Sequence, residues 1–141
     1  MSSRIRPIFL VEDNPMDLDL AKRAFARRKT DNPIVIARDG EEALKWVSKW
    51  EEGDPVPVVI LLDLKLPKVD GLDVLLHLKN HPLFSTIPVV VLTTSSEERD
   101  IQTAYQHGAN SYIVKPVDFD RFIQVIDQLE QYWCNLNIPP H

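Results

Sequence analysis

Five short apolar runs alternate with helix-like segments, and this alternation constrains the fold more than any other feature of the chain. The runs are Ile8–Val11, Ile34–Ala37, Val58–Leu62, Val89–Leu92 and Tyr112–Val114. They are rich in β-branched residues and nearly continuous in apolarity, as strands covered on both faces are. Between them, apolar residues recur at helical spacing: Leu18, Ala21 and Phe25, then Ala43, Leu44 and Val47, then Leu72, Leu75, Leu76 and Leu78. Strict alternation of strand and helix predicts a parallel sheet with helices on both faces. For five strands the expected order is the flavodoxin-like 2-1-3-4-5, with right-handed crossovers.

Helix boundaries follow from local chemistry. Pro15 suits the first turn of helix one, with Asn14 as its cap. Asp39-Gly40 opens the second helix and Gly71 precedes the third. Ser95 followed by Glu98 is a capping-box pattern, so the fourth helix is expected to open there and stop at Gly108. Asp118 is placed to cap the fifth, whose stripe is Phe119, Phe122, Ile126, Leu129 and Trp133. Trp50 to Pro57 reads as a surface loop, with Trp46 and Trp50 covering apolar surface beside it.

The bulk numbers exclude several classes. At 141 residues, with 44% hydrophobic and 26% charged residues, the expectation is a single domain spanning 1–141, with its core at about 6–132 and a C-terminal extension at 133–141. No separate effector domain is expected. A net charge of −5 argues against nucleic-acid or anionic-membrane partners. The basic group Lys22, Arg23, Arg27, Arg28 and Lys29 reads as a solvated helix face. One cysteine, Cys134, rules out an internal disulfide and makes a cytoplasmic setting the default. No signal peptide or membrane span is evident.

Four polar sites follow directly on strand runs: Glu12-Asp13, Asp63, Thr93-Thr94 and Lys115-Pro116. In an open parallel sheet, ligands bind beyond the carboxyl ends of the strands, and this strand order makes Asp13 and Asp63 neighbours at the switch point. Three carboxylates, Glu12, Asp13 and Asp63, would then meet at one edge and require protonation or a cation. Hard oxygen ligands suit Mg²⁺, with the backbone carbonyl of Lys65 as a further oxygen. Lys115 adds a fixed positive charge and Thr93 a hydroxyl, the set a transferring phosphoryl group needs. Asp63 is then the natural nucleophile, forming an aspartyl-phosphate. Singly, each residue has a plainer reading as a cap, a loop aspartate or a solvated lysine. Their joint position carries the functional one.

Val11-Glu12-Asp13-Asn14, Asp63-Leu64-Lys65-Leu66-Pro67 with Asp70-Gly71, Leu92-Thr93-Thr94 and Tyr112 with Lys115-Pro116 resemble the receiver domain of two-component response regulators. The likeness runs from about Arg6 to Tyr132. It implies that Asp13 holds Mg²⁺ directly and Glu12 through water, that Asp63 is the phosphoacceptor, and that the main-chain carbonyl of Lys65 reaches the metal. It implies that Thr93 and Lys115 contact the phosphoryl group, that the bond before Pro116 is cis, and that Thr93 and Tyr112 form the switch. Lys65 and Ser95 would tune phosphoryl lifetime, and Thr94 departs from the alanine often found there. The expected partner is a histidine kinase docking near Leu18 and Ala21. The protein would be a phosphoacceptor with self-phosphorylation and autodephosphorylation, not a turnover enzyme.

The tail, Tyr132 to Pro140, together with Leu92 to Ser95, resembles single-domain regulators paired with bacterial phytochrome kinases. That likeness implies a bacteriophytochrome donor and a homodimer through the fourth helix, fifth strand, fifth helix and extension, with Val125, Tyr132 and Leu136 as an apolar edge. Two rivals remain. One is a phosphorylation-independent binding module, against which the full residue set argues. The other is a Mg²⁺ phosphatase, which often has a second aspartate where this chain has Lys65. His77 and His81 lack a third ligand in sequence and read as surface histidines.

Overall fold

The computed structural model describes residues 6–27, 31–116 and 118–140. Arg28 and Lys29 of the basic group lie outside them. The strands are β1 (Ile8–Val11), β2 (Ile34–Ala37), β3 (Val59–Leu62), β4 (Val89–Thr93) and β5 (Ser111–Val114). They alternate with α1 (Pro15–Arg27), α2 (Gly40–Glu51), α3 (Gly71–Lys79), α4 (Glu98–Gln106) and α5 (Phe119–Glu130). The order is β2-β1-β3-β4-β5 and every pairing is parallel. This is the flavodoxin-like arrangement expected from the alternation of elements.

Side chains alternate across the pleat, and the core divides accordingly. Phe9, Val11, Ile60, Leu62, Val89 and Val91 face α2, α3 and α4, meeting Val47, Trp50, Val74, Leu75, Leu78 and Ala104. On the other face, Ile8, Leu10, Val59, Leu61, Val90 and Leu92 meet Leu18, Ala21, Ala24 and Phe25 of α1 and Phe122, Ile123, Ile126 and Leu129 of α5. Leu18 and Ala21 are therefore core residues and present no docking surface. Met16, 76% exposed, is the apolar side chain that the start of α1 offers to solvent.

Trp50 is also core. It lies in the last turn of α2 and packs edge-on against Phe9 and Phe84, with ring centroids 5.3 and 5.6 Å away. Such pairs contribute about 0.5–1.5 kcal/mol each beyond area burial. The loop before β3 thus begins after Glu51, later than hydropathy suggested.

Caps behave unevenly. Asn14 Oδ1 accepts from the amides of Met16 and Asp17, and Asp39 accepts from Glu42. Asp118 sits at the cap of α5 without a side-chain bond. Ser95 does not cap α4: Glu97 holds that position, and the Ser95 hydroxyl donates instead to Asp100 at 2.6 Å. Gly108 ends α4 at φ 103°, in the left-handed region glycine tolerates. After α5 the chain continues as a π-helical stretch, Gln131–Leu136. Among the described residues no helix is long and apolar enough to cross a membrane.

Candidate functional site

Sheet register assembles the site. Val11 pairs with Leu62, so Glu12 and Asp63 leave the sheet side by side, and the Asp63 amide donates to the Val11 carbonyl at 3.0 Å. Thr93 pairs with Val114, which delivers Lys115 one residue later. The Lys115 amide donates to the Thr93 carbonyl at 2.7 Å. Gly71 lets α3 start against the Asp63 loop, since a Cβ there would lie 2.4 Å from the Asp63 carbonyl oxygen.

The Lys115 ammonium is the centre of the charge arrangement. It donates to Asp17 at 2.8 Å, to Asp63 at 3.1 Å and to Glu12, with its side chain only 6% exposed. Three N–H groups meet three carboxylates, so the donor set is fully used. Burial alone would lower the lysine, but the bonds to Asp17 and Glu12 and the charge of Asp63 outweigh it and hold the ammonium above the ordinary lysine range. Glu12 goes the other way. Burial pushes its carboxyl up to about 7, Lys115 opposes that push, and the charge of Asp63 adds to it.

The donor atoms themselves test whether the residues suit a metal. One carboxylate oxygen from each of Glu12, Asp13 and Asp63 lies within 4.8 Å of the others. With Asp17 nearby, four carboxylates gather around one ammonium, which bonds to three of them. An all-oxygen, negatively charged set open on the Asp13 side fits a hard divalent cation.

The remaining expected residues have definite places. Thr93 is fully buried, and its Oγ1 accepts from the Ser95 amide at 3.4 Å. Asp63 Oδ1 accepts from the Lys65 amide at 3.2 Å, while the Lys65 side chain points outward to Asp100 at 3.8 Å. The Tyr112 hydroxyl donates to the Ser95 carbonyl at 2.9 Å. The bond before Pro116 is trans, contrary to expectation. Trans is favoured by about 0.5–1 kcal/mol for X–Pro, and Lys115 reaches all three carboxylates in this form. Nothing in the sequence singles out Asp17, because a first-turn aspartate reads as a partner for the helix dipole.

His81 is engaged structurally, with Nε2 on Glu51 at 2.9 Å and Nδ1 accepting from the Leu83 amide at 3.0 Å.

Residues 8–127 match the response regulator receiver domain family, and the chain belongs to it. Among curated relatives, the probable methanogenesis regulatory protein FilR2 of Methanothrix harundinacea is 41% identical over 134 residues, covering 94% of this chain and 86% of the relative. Response regulator Rcp1 of Synechocystis sp. is 37% identical over 128 residues, covering 89% and 87%. The solved structure of the phosphorylated cyanobacterial phytochrome response regulator RcpA superposes with a TM-score of 0.91 at 37% identity, covering 98% of this chain and all of that one. The Mn²⁺-bound form of Rcp1 gives 0.88 at 35% identity, covering 96% and 99%. Of these similar proteins, RcpA is a phytochrome response regulator, and Rcp1 has been solved with Mn²⁺ bound.

Proposed function

We propose that this receiver accepts a phosphoryl group on Asp63 from a histidine kinase of the phytochrome type, in the cytoplasm. The observation that carries the reading is the meeting of Asp63 Oδ2 with the Lys115 ammonium, 3.1 Å apart, beside the Glu12–Asp13 pair. In the transfer, an Asp63 carboxylate oxygen attacks phosphorus. The O–P bond forms as the donor's P–N bond breaks, and the leaving imidazole takes a proton from solvent. Glu12, Asp13, Asp63 and the Lys65 carbonyl would hold Mg²⁺, which when bound neutralises charge on the phosphoryl oxygens.

The chain's own groups do the rest. Lys115 exchanges its bond to Asp63 for a phosphoryl oxygen while Asp17 keeps the ammonium at the rim. The Thr93 hydroxyl, whose oxygen accepts from the Ser95 amide at rest, turns to donate to another phosphoryl oxygen. Tyr112 then repacks toward the space Thr93 leaves, and the α4–β5–α5 face shifts population between two packings. Water attack on phosphorus at Asp63 returns the resting carboxylate.

A homodimer through that face and the C-terminal extension is part of the proposal. Its support is the exposure of Tyr132 and Leu136, 49% and 69%, beside half-buried Val125.

The test is acetyl phosphate with Mg²⁺, followed by intact mass, for wild type and Asp63→Asn, repeated with a phosphorylated phytochrome-type kinase as donor. One phosphoryl group on wild type and none on the variant is expected. Uptake by Asp63→Asn places the acceptor elsewhere. Uptake from acetyl phosphate but not from that kinase overturns the pathway alone.

A further inference from the structure

Every polar group of Ser95 is engaged. Its amide donates to Thr93 Oγ1 at 3.4 Å. Its hydroxyl donates to Asp100 Oδ2 at 2.6 Å and accepts from the Glu97 amide at 3.3 Å. Its carbonyl accepts from the Tyr112 hydroxyl at 2.9 Å. One residue therefore touches both groups assigned to the switch, and a single carboxylate on α4 anchors that residue. Asp100 sits in the first turn of α4, where a negative charge is favoured, and its side chain is 14% exposed.

The geometry points to Asp100 as a positioning residue that clasps the β4–α4 loop in its resting form. Through Ser95 it keeps the Thr93 hydroxyl turned to a backbone amide and keeps Tyr112 tied to the loop. The inference rests on the phosphoacceptor reading above and adds a control to it: Thr93 cannot turn to a phosphoryl group until Ser95 gives way.

Two contacts compete as the source of the restraint. The ion pair with Lys65 spans 3.8 Å, and the lysine is 67% exposed, a class of pair worth little in water. The Ser95 hydroxyl bond is short and goes to a charged acceptor, which places it among the stronger hydrogen bonds. The hydroxyl bond is the clasp. An amide oxygen can accept the same bond, so Asp100→Asn should behave nearly as wild type while Asp100→Ala should not.

Two measurements test this. In metal-free, unphosphorylated protein, amide exchange at Ser95 and Glu97 should be roughly ten- to a hundredfold faster in Asp100→Ala and in Ser95→Ala, the range expected for one lost hydrogen bond to a charged acceptor. The double variant should add little to either single one. With acetyl phosphate and Mg²⁺, the phosphorylation rate should rise by a similar factor in both variants, in the rate constant at saturating donor rather than in the half-saturating concentration, and return close to wild type in Asp100→Asn. Unchanged exchange in Asp100→Ala overturns the clasp. Normal wild-type phosphorylation with unchanged rates in both variants overturns it too, leaving Asp63 as acceptor. No phosphorylation in any form, wild type included, removes the Asp63 assignment and the coupling built on it.

Discussion

Lys79 and Lys115 are both tied-down lysines, at opposite edges of the same sheet. Lys79 serves the edge where β4 and β5 begin. Its ammonium donates to the carbonyls of Ser85 and Ile87 and to Asn110 Oδ1 at 2.8–3.1 Å. Lys115 serves the edge where the strands end, and its three acceptors are carboxylates. Donor satisfaction is the same, yet the electrostatics are opposite. Burial among neutral acceptors lowers Lys79, whereas the carboxylates more than reverse burial at Lys115. Lys79 fastens the α3–β4 connection to the turn before β5. Lys115 holds together charges that would otherwise repel, and that cluster can exchange a carboxylate partner for a phosphoryl oxygen.

The comparison breaks most easily at Lys115. Lys115→Met removes the cation from three carboxylates, and breaking a buried ionic cluster costs about 3–5 kcal/mol. Protonation of Glu12, already near 7, and solvent on Asp13 and Asp17 should trim that to about 2–4 kcal/mol in metal-free protein at low salt. Urea unfolding should show this loss, and added Mg²⁺ should recover more stability in the variant than it adds to wild type. Equal metal-free stability would show that the ammonium does not balance the acids.

Lys79→Met should have a smaller effect of a different kind. It leaves the Ser85 and Ile87 carbonyls without their donor, at about 1–3 kcal/mol. Asn110 keeps its bond from the Val89 amide. The loss should be the same with and without Mg²⁺, and the folded variant should take up phosphoryl at the wild-type rate. A Mg²⁺-dependent loss would mean that the two edges communicate and that the lysines are not separable.

Much of this arrangement was legible in sequence because it depends on periodicity and strand ends. Apolar runs marked all five strands to within a residue, and alternation with helices led to the observed order. Carboxylates and a lysine placed just past those runs had to converge once β1 and β3 were neighbours. What escaped depends on side-chain direction. Asp17 reaches Lys115 across helix α1, and no local spacing announces that contact. Ser95 sits in a capping-box pattern, but its hydroxyl finds the stronger charged acceptor at Asp100. Leu18 and Ala21 lie near the acids in sequence but face α5, so the core takes them. Trp50 looked like loop because Glu51 to Asp54 is polar, yet its ring fills the space between Phe9 and Phe84.

The smallest effect concerns a third, half-buried group, which isolates burial from pairing. Cys134 lies in the π-helical extension, and burial pushes its thiol up to about 11, with the charge of Glu130 adding to the shift. Lys115 is raised by partners that stabilise its charged form. Cys134 is raised because its charged form lacks such support. Native protein should therefore react with iodoacetamide slowly at pH 8, and the rate should climb toward pH 11 without levelling near 9, since thiolate is the nucleophile. The linkage has a definite sign. A folded-state value above the unfolded one means the native form holds the proton longer, so this group's contribution to stability is complete below about 9 and is lost as pH rises toward 11. In urea the reaction should level off near the ordinary thiol value. A native rate that also levels near 9 would show that water reaches the sulfur and that the extension does not seal it.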